Sequence, residues 1–323
     1  MDLSIVIALY NEEESVPELL AWIEKALSSQ KLQYEIILID DGSTDKSWEV
    51  IENESKHYET LSAIRFSRNY GKSAALFTGF EAAKGEVVVT MDADLQDSPE
   101  EIPELYEMII NQGYDLVSGW KKRRKDNKLA KNLPSKLYNR VARRVTGLKL
   151  HDMNCGLKAY RKEVIKNVEV YGEMHRYIPY LAKIAGFRNI GEKVVKHQAR
   201  KFGKSKFGMD RFVNGFLDLI TLWFLSKFGK RPMHFFGTFG TLTFFVGFAT
   251  AAYLVTDKLI SQANGLKFRQ VADQPLFYIS LVALIIGMQL FLAGFVGELV
   301  SRNSTERNNY KIKERLKKGT PNE

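Results

Sequence analysis

In the stretch VVVTMDADLQDSPEEIP (residues 87–103) an apolar run stops on Asp92, Asp94 and Asp97, with Gln96 among them and a proline just after. Asp-x-Asp-x-Gln offers hard oxygen donors without His or Cys, a set that suits Mg²⁺ or Mn²⁺ bound together with a diphosphate. An isolated Asp-x-Asp is common and usually marks a solvated turn or a helix cap. Its position at the end of an apolar, β-branched run makes it a candidate site. Other polar clusters end similar runs: YNEEES (10–15), DDGSTD (40–45) and RNYGKS (68–73). Asp40, Asp41, Asp92 and Asp94 gathered in one apolar cleft would repel one another, so this reading requires a cation or ligand donors to compensate them.

The elements that must position these residues alternate in type over the first 120 residues. LSIVIALY, YEIILID, LSAIRF, EVVVTMD and YDLVSG are short β-branched runs, and the segments between them show helical spacing. That alternation predicts an α/β fold with a mostly parallel sheet flanked by helices. In such sheets ligands sit beyond the carboxyl ends of the strands, where the polar clusters fall. No G-x-G occurs, and Gln198 stands where FGKSKF would need the first glycine of a P-loop. The phosphate binder is therefore not a glycine cradle.

Composition sets the partners. The chain has 323 residues, 45% of them hydrophobic, and a formal net charge of +9. It is long enough for one large core or two smaller ones, and its charge favours anionic partners such as phosphates or an acidic membrane face. A lone Cys155 excludes an intramolecular disulfide framework and fits a small core residue in a reducing compartment.

No charged residue occurs from Phe235 to Val255 or from Leu276 to Gly297. At about 1.5 Å per residue each run can cross the hydrocarbon of a bilayer. Residues 196–231 carry nine Lys/Arg against two Asp, and residues 301–323 carry seven against three Glu. This asymmetry predicts a membrane hairpin with both flanks cytoplasmic. The expected organisation is a catalytic domain at 1–210, a juxtamembrane amphipathic helix at 211–232, two spans within 233–300 and a basic tail at 301–323. Small residues at Gly237, Ala293 and Gly297 raise the expectation of a homo-oligomer packed through the spans, with packing inside one hairpin as its rival.

Taken together and in this order, ALYNEEES, IDDGSTD, FSRNYGKSAAL, MDADLQDSPEEIP and KFGKSKF resemble the family 2 glycosyltransferases of GT-A fold. The resemblance is to the polyprenyl-phosphate branch that includes dolichyl-phosphate mannosyltransferases. It implies a nucleotide-sugar donor, with Ala8, Tyr10, Glu12 and Asp41 lining the base and ribose pocket. Lys72 and Asp92 also fall to the donor, and Asp92, Asp94 and Gln96 to the metal. For the basic run at 121–144, too basic to be core, it implies a phosphate clamp formed by Lys131 and Ser135 with Arg124. Arg200, Ser205 and Lys206 would close over donor or acceptor phosphate. Lys204 stands where relatives often have Glu, and NCGLKAYR replaces a more usual Ser-Gly-Phe. Both departures bear on which donor and acceptor are used.

The expected reaction is inverting transfer from a nucleotide sugar to a polyprenyl phosphate at the cytoplasmic membrane face. UDP-glucose stands first among donors, followed by GDP-mannose and UDP-glucuronate, and no nucleic acid is implied. A phosphate acceptor is anionic and needs no strong base, so Asp94, Lys131, Ser135 and Arg200 carry catalysis by alignment and neutralisation. A sugar-hydroxyl acceptor would need a base, with Asp152 or Glu173 as candidates. The third reading is a non-catalytic basic membrane protein. The Gln-x-x-Arg-Trp signature of processive synthases is absent, since none of Trp22, Trp48, Trp120 or Trp223 follows an arginine.

Overall fold

The computed structural model describes residues 1–122, 140–202, 210–229 and 231–303. The chain divides into two compact units, Met1–Ile220 and Thr221–Glu323.

The first unit is built on seven strands: β1 Leu3–Leu9, β2 Tyr34–Asp40, β3 Leu61–Arg65, β4 Val87–Asp92, β5 Leu116–Trp120, β6 Lys158–Arg161 and β7 Ile190–Val194. They form one sheet in the order β3-β2-β1-β4-β6-β5-β7. All pairings are parallel except those of β6, which runs antiparallel to β4 and β5. The continuous apolar runs of β1, β2 and β4 are almost wholly buried, as strands covered on both faces must be. Helices α1 Val16–Leu27, α2 Ser47–Glu54, α3 Lys72–Ala82 and α4 Ile102–Ile110 supply the crossovers. Two short helices, α5 Lys162–Lys166 and α6 Ile178–Ile184, follow β6.

Two details hold the strands that end in the polar clusters in place. In α1, Val16, Leu19, Leu20, Ile23 and Leu27 form one buried stripe on the core. Helix α3 passes so close to β1 that a Cβ at Gly79 would lie 2.2 Å from Val6 Cγ1.

Helix α7, Asp210–Phe228, covers most of the expected juxtamembrane segment. In the second unit α8 Pro232–Ala263 and α9 Pro275–Asn303 form a hairpin. Both helices are long and apolar enough to cross a membrane, with mean hydropathies of 1.5 and 2.4, and only 17% of each apolar window is buried. Their large side chains face outward, as lipid-facing residues do. The glycines face inward: a Cβ would meet backbone atoms of the other helix at 2.6 Å at Gly240, 2.8 Å at Gly247 and 2.5 Å at Gly287. Gly294 packs on Phe236, and Gly297 on Pro232. Of the small residues that raised the expectation of an oligomer, Gly297 thus packs within the hairpin, while Ala293 is exposed.

Candidate active site

The carboxyl ends of β1, β2 and β4 open into a cleft of about 360 Å³. Ala8, Tyr10 and Glu12 come from the end of β1, Asp41 follows β2, and Asp92 and Asp94 follow β4. Lys72 opens α3, while Glu173, His175 and Arg200 arrive from the later part of the unit.

Cross-ties make the polar loops rigid. Asn11, at φ 53°, donates its N–H to Ser43 Oγ (2.8 Å), and its side-chain oxygen accepts from the Thr44 N–H (2.8 Å). Glu12 N–H donates to Ser47 Oγ (2.8 Å). The Asp41 carboxylate accepts from the N–H groups of Tyr70 (2.7 Å) and Gly71 (2.9 Å). That closeness depends on Gly42, at φ +71°, where a Cβ would lie 2.4 Å from the Arg68 carbonyl carbon. Burial nevertheless raises the Asp41 pKa, against those two backbone donors.

The acidic centre is already cation-paired. Asp92 forms an ion pair with Lys72, and Arg200 bridges Asp94 (2.8 Å) and Glu12 (3.4 Å). Gln96, oriented to satisfy its neighbours, donates to Asp94 Oδ2 (3.0 Å) and accepts from the Arg200 N–H (3.2 Å). Leu95 takes a left-handed conformation, φ 60°, between the two site residues. Arg200 is brought in because the preceding segment pairs with this loop: Asp97 and His197 form a β-bridge, and Gln198 N–H donates to Gln96 O (3.0 Å).

Beneath the loop, the buried Asp97 carboxylate pairs with Lys121 at 2.7 Å. Burial opposes the Lys121 charge, but Asp97, with Cys155 and Asp92, pushes its pKa above the ordinary value. Gly156 supports Asp92 from the other side, where a Cβ would lie 2.5 Å from its carboxylate. Cys155 next to it is buried, and that burial pushes its thiol up to about 12, which leaves it inert.

The two central carboxylates differ in kind. Burial raises the Asp92 pKa, but Lys72, Lys121 and Lys158 together bring it well below the carboxylate range. Burial and the Asp92 charge push Asp94 up to about 6, against Arg200. The pair therefore resists carrying two negative charges unless a further cation compensates them. This hard-oxygen pair fits a divalent cation, which Asp92 and Asp94 would hold.

Several expectations need correction. Asp40 does not join the cleft: it is fully buried, accepts from the Ser43 N–H (2.9 Å) and pairs with Arg65 (3.4 Å). Gln96 is not in the cleft lining and orients Asp94 instead. Asp152 is buried away from the cleft, accepting from the Asn154 N–H (3.1 Å). Lys121, first in a run read as too basic for the core, is mostly covered and pairs with the buried Asp97. Arg124, Lys131, Ser135, Ser205 and Lys206 lie outside the described residues. Asn69 and His175 join the lining without having been expected. Asn69 lies within the quoted RNYGKS and His175 two residues after the candidate base Glu173, but neither ends a strand.

Residues 4–169 match the family described as glycosyl transferase family 2. The dodecaprenyl-phosphate galacturonate synthase of Rhizobium johnstonii is 36% identical over 94% of this chain and 88% of its own. The undecaprenyl-phosphate 4-deoxy-4-formamido-L-arabinose transferase of Aeromonas hydrophila is 36% identical over 94% of this chain and 89% of its own. In fold, the unit resembles glucosyl-3-phosphoglycerate synthase from Mycobacterium tuberculosis in complex with UDP. That structure superposes with a TM-score of 0.54 at 18% identity, covering 70% of this chain and 79% of the other. With a family match across half its length and such relatives along nearly all of it, the chain belongs to glycosyl transferase family 2 and is a glycosyltransferase of GT-A fold.

Proposed function

We propose that this glycosyltransferase moves a sugar from a nucleotide-sugar donor to the phosphate of a polyprenyl phosphate, with inversion at the anomeric carbon. One observation carries the choice of acceptor: among the described residues, every carboxylate lining the cleft is already engaged. Glu12 and Asp94 pair with Arg200, Asp92 with Lys72, Glu173 with Arg176 (2.8 Å), and Asp41 with backbone N–H groups. A cleft in which no described carboxylate is idle suits an acceptor that is already ionised. The names of the relatives, which specify dodecaprenyl and undecaprenyl phosphate, support the same reading.

In this reading Asp41 and the ends of β1 and β2 hold the base and ribose, and Ala8 leaves room for them. Asp92 and Asp94 would hold Mg²⁺ or Mn²⁺, which would supply charge neutralisation for the departing diphosphate. Lys72 and Arg200 balance the carboxylates and add positive charge at the diphosphate. Arg124, Lys131, Ser135, Ser205 and Lys206 take the acceptor phosphate, and alignment of the two anions does the rest. The catalytic unit and the basic tail face the cytoplasm, with the 264–274 turn outside. UDP-glucose is the first donor to test, followed by GDP-mannose and UDP-glucuronate.

A hydroxyl acceptor is the second reading, because Glu173 does line the cleft. Purified variants separate the two. Lys131→Ala, Ser135→Ala and Arg200→Ala should each lower transfer to polyprenyl phosphate more than Glu173→Gln or Asp152→Asn. Loss of a charge-assisted hydrogen bond worth about 1.5–3 kcal/mol gives roughly one to two decades in rate. If Glu173→Gln abolishes transfer while the basic variants keep it, a general base operates and the phosphate acceptor is wrong.

A further inference from the structure

The cleft contains one polar ring that the proposed mechanism leaves unused. His175 lines it beside Lys72 and Glu173, on the segment that follows β6. Its surroundings fix its chemistry through Ser73, the second residue of α3, which is 1% exposed. Ser73 Oγ accepts the backbone N–H of His175 at 3.1 Å and lies 3.1 Å from His175 Nδ1.

A hydroxyl has a single hydrogen to give. Among the described residues Nδ1 is the one acceptor within reach of it, so the buried Ser73 hydroxyl is satisfied only if Nδ1 accepts. The proton of a neutral imidazole is then on Nε2. Burial, followed by the charges of Lys72, Arg176 and Lys158, holds the ring neutral against the pull of Asp92. With Nδ1 occupied, Nε2–H is the polar group that His175 can offer to whatever fills the cleft.

The proposed donor divides the cleft into parts. Its base and ribose take the Asp41 end, and its diphosphate takes Asp92 and Asp94. The sugar is left facing Glu173 and His175. Resting on the nucleotide-sugar reading, we propose that His175 is a specificity-determining residue that donates an Nε2–H hydrogen bond to an oxygen of the donor sugar, with Ser73 as the positioning residue that fixes its tautomer. A neutral donor of this kind recognises a hydroxyl or ring-substituent oxygen without adding charge to a cleft whose carboxylates are already balanced. It predicts discrimination against donors that lack the matching oxygen.

The test is calorimetric binding to the full-length protein in detergent with Mn²⁺. The ligands are UDP-glucose, UDP-glucuronate and GDP-mannose, each compared with UDP or GDP alone. For the sugar nucleotide that wild type binds best, His175→Phe should weaken affinity on the order of tenfold and leave the nucleoside diphosphate unchanged. Ser73→Ala should shift the same ligand in the same direction by less. His175→Gln, which keeps an N–H, should recover part of the loss. Equal loss for sugar nucleotide and diphosphate would make His175 structural, and equal retention would remove it from recognition. Either result overturns the inference. Binding of no sugar nucleotide by the wild type would instead overturn the nucleotide-sugar reading, and this inference with it.

Discussion

Asp94 illustrates how a carboxylate proposed to hold a metal can be at odds with its fold. Burial and Asp92 push it up to about 6 from an ordinary value of 3.8. Below the lower value it is protonated whether the chain is folded or not. Between the two, the unfolded chain has released the proton and the fold still holds it, so this group's contribution to stability falls as pH rises through the window. A divalent cation favours the ionised form, so its affinity should increase as pH rises through about 6. Asp94→Asn should therefore abolish transfer while leaving the melting temperature of metal-free protein at pH 7.5 unchanged or higher. A clear fall in that temperature, or retained turnover, would contradict the assignment. Asp92 and Asp94 were legible in the sequence because they end an apolar run. His175 and the Asp97–Lys121 pair were not, because their roles arise from contacts across 102 and 24 positions of chain that no local pattern encodes.

At the scale of elements, the strands that bury both faces could be read directly, since LSIVIAL and VVVTMD are continuous apolar runs. The strands β6 and β7 could not. KAYR is four residues long and bracketed by cations, and IGEKV is only half-buried. The reversed β6 matters for chemistry because it brings Gly156 beneath Asp92. A Cβ there would lie within 2.5 Å of the carboxylate, so Gly156→Ala should push Asp92 out of place. We expect loss of Mn²⁺-dependent nucleotide binding with the circular dichroism spectrum retained; unimpaired binding would show that the loop yields. In the hairpin, Gly287 approaches the Phe244 N–H so closely that a Cβ would lie at 2.5 Å. Gly287→Leu should separate the two helices and lower thermal stability in detergent by about 1–3 kcal/mol, as overpacking typically does. Wild-type stability with an altered oligomeric state would instead return the glycines to an interface between copies.

At the scale of the whole molecule, charge asymmetry and two outward-facing apolar helices give an orientation that can be tested directly. The lone native cysteine is buried and unreactive, so introduced cysteines report cleanly. A thiol at Asn264→Cys, in the turn between the spans, should be labelled from outside intact cells, and one at Thr320→Cys only after permeabilisation. The reverse pattern would invert the assigned topology. One measurement reaches the proposed reaction most directly. Purified full-length protein in nanodiscs containing undecaprenyl phosphate is supplied with Mn²⁺ and, in turn, radiolabelled UDP-glucose, UDP-glucuronate and GDP-mannose. Label from at least one donor should enter the lipid as a mild-acid-labile sugar-phosphate ester, and Asp94→Asn or chelator should stop it. Label that remains in free sugar, or that enters an acid-stable glycoside on a hydroxyl, would contradict a phosphate acceptor.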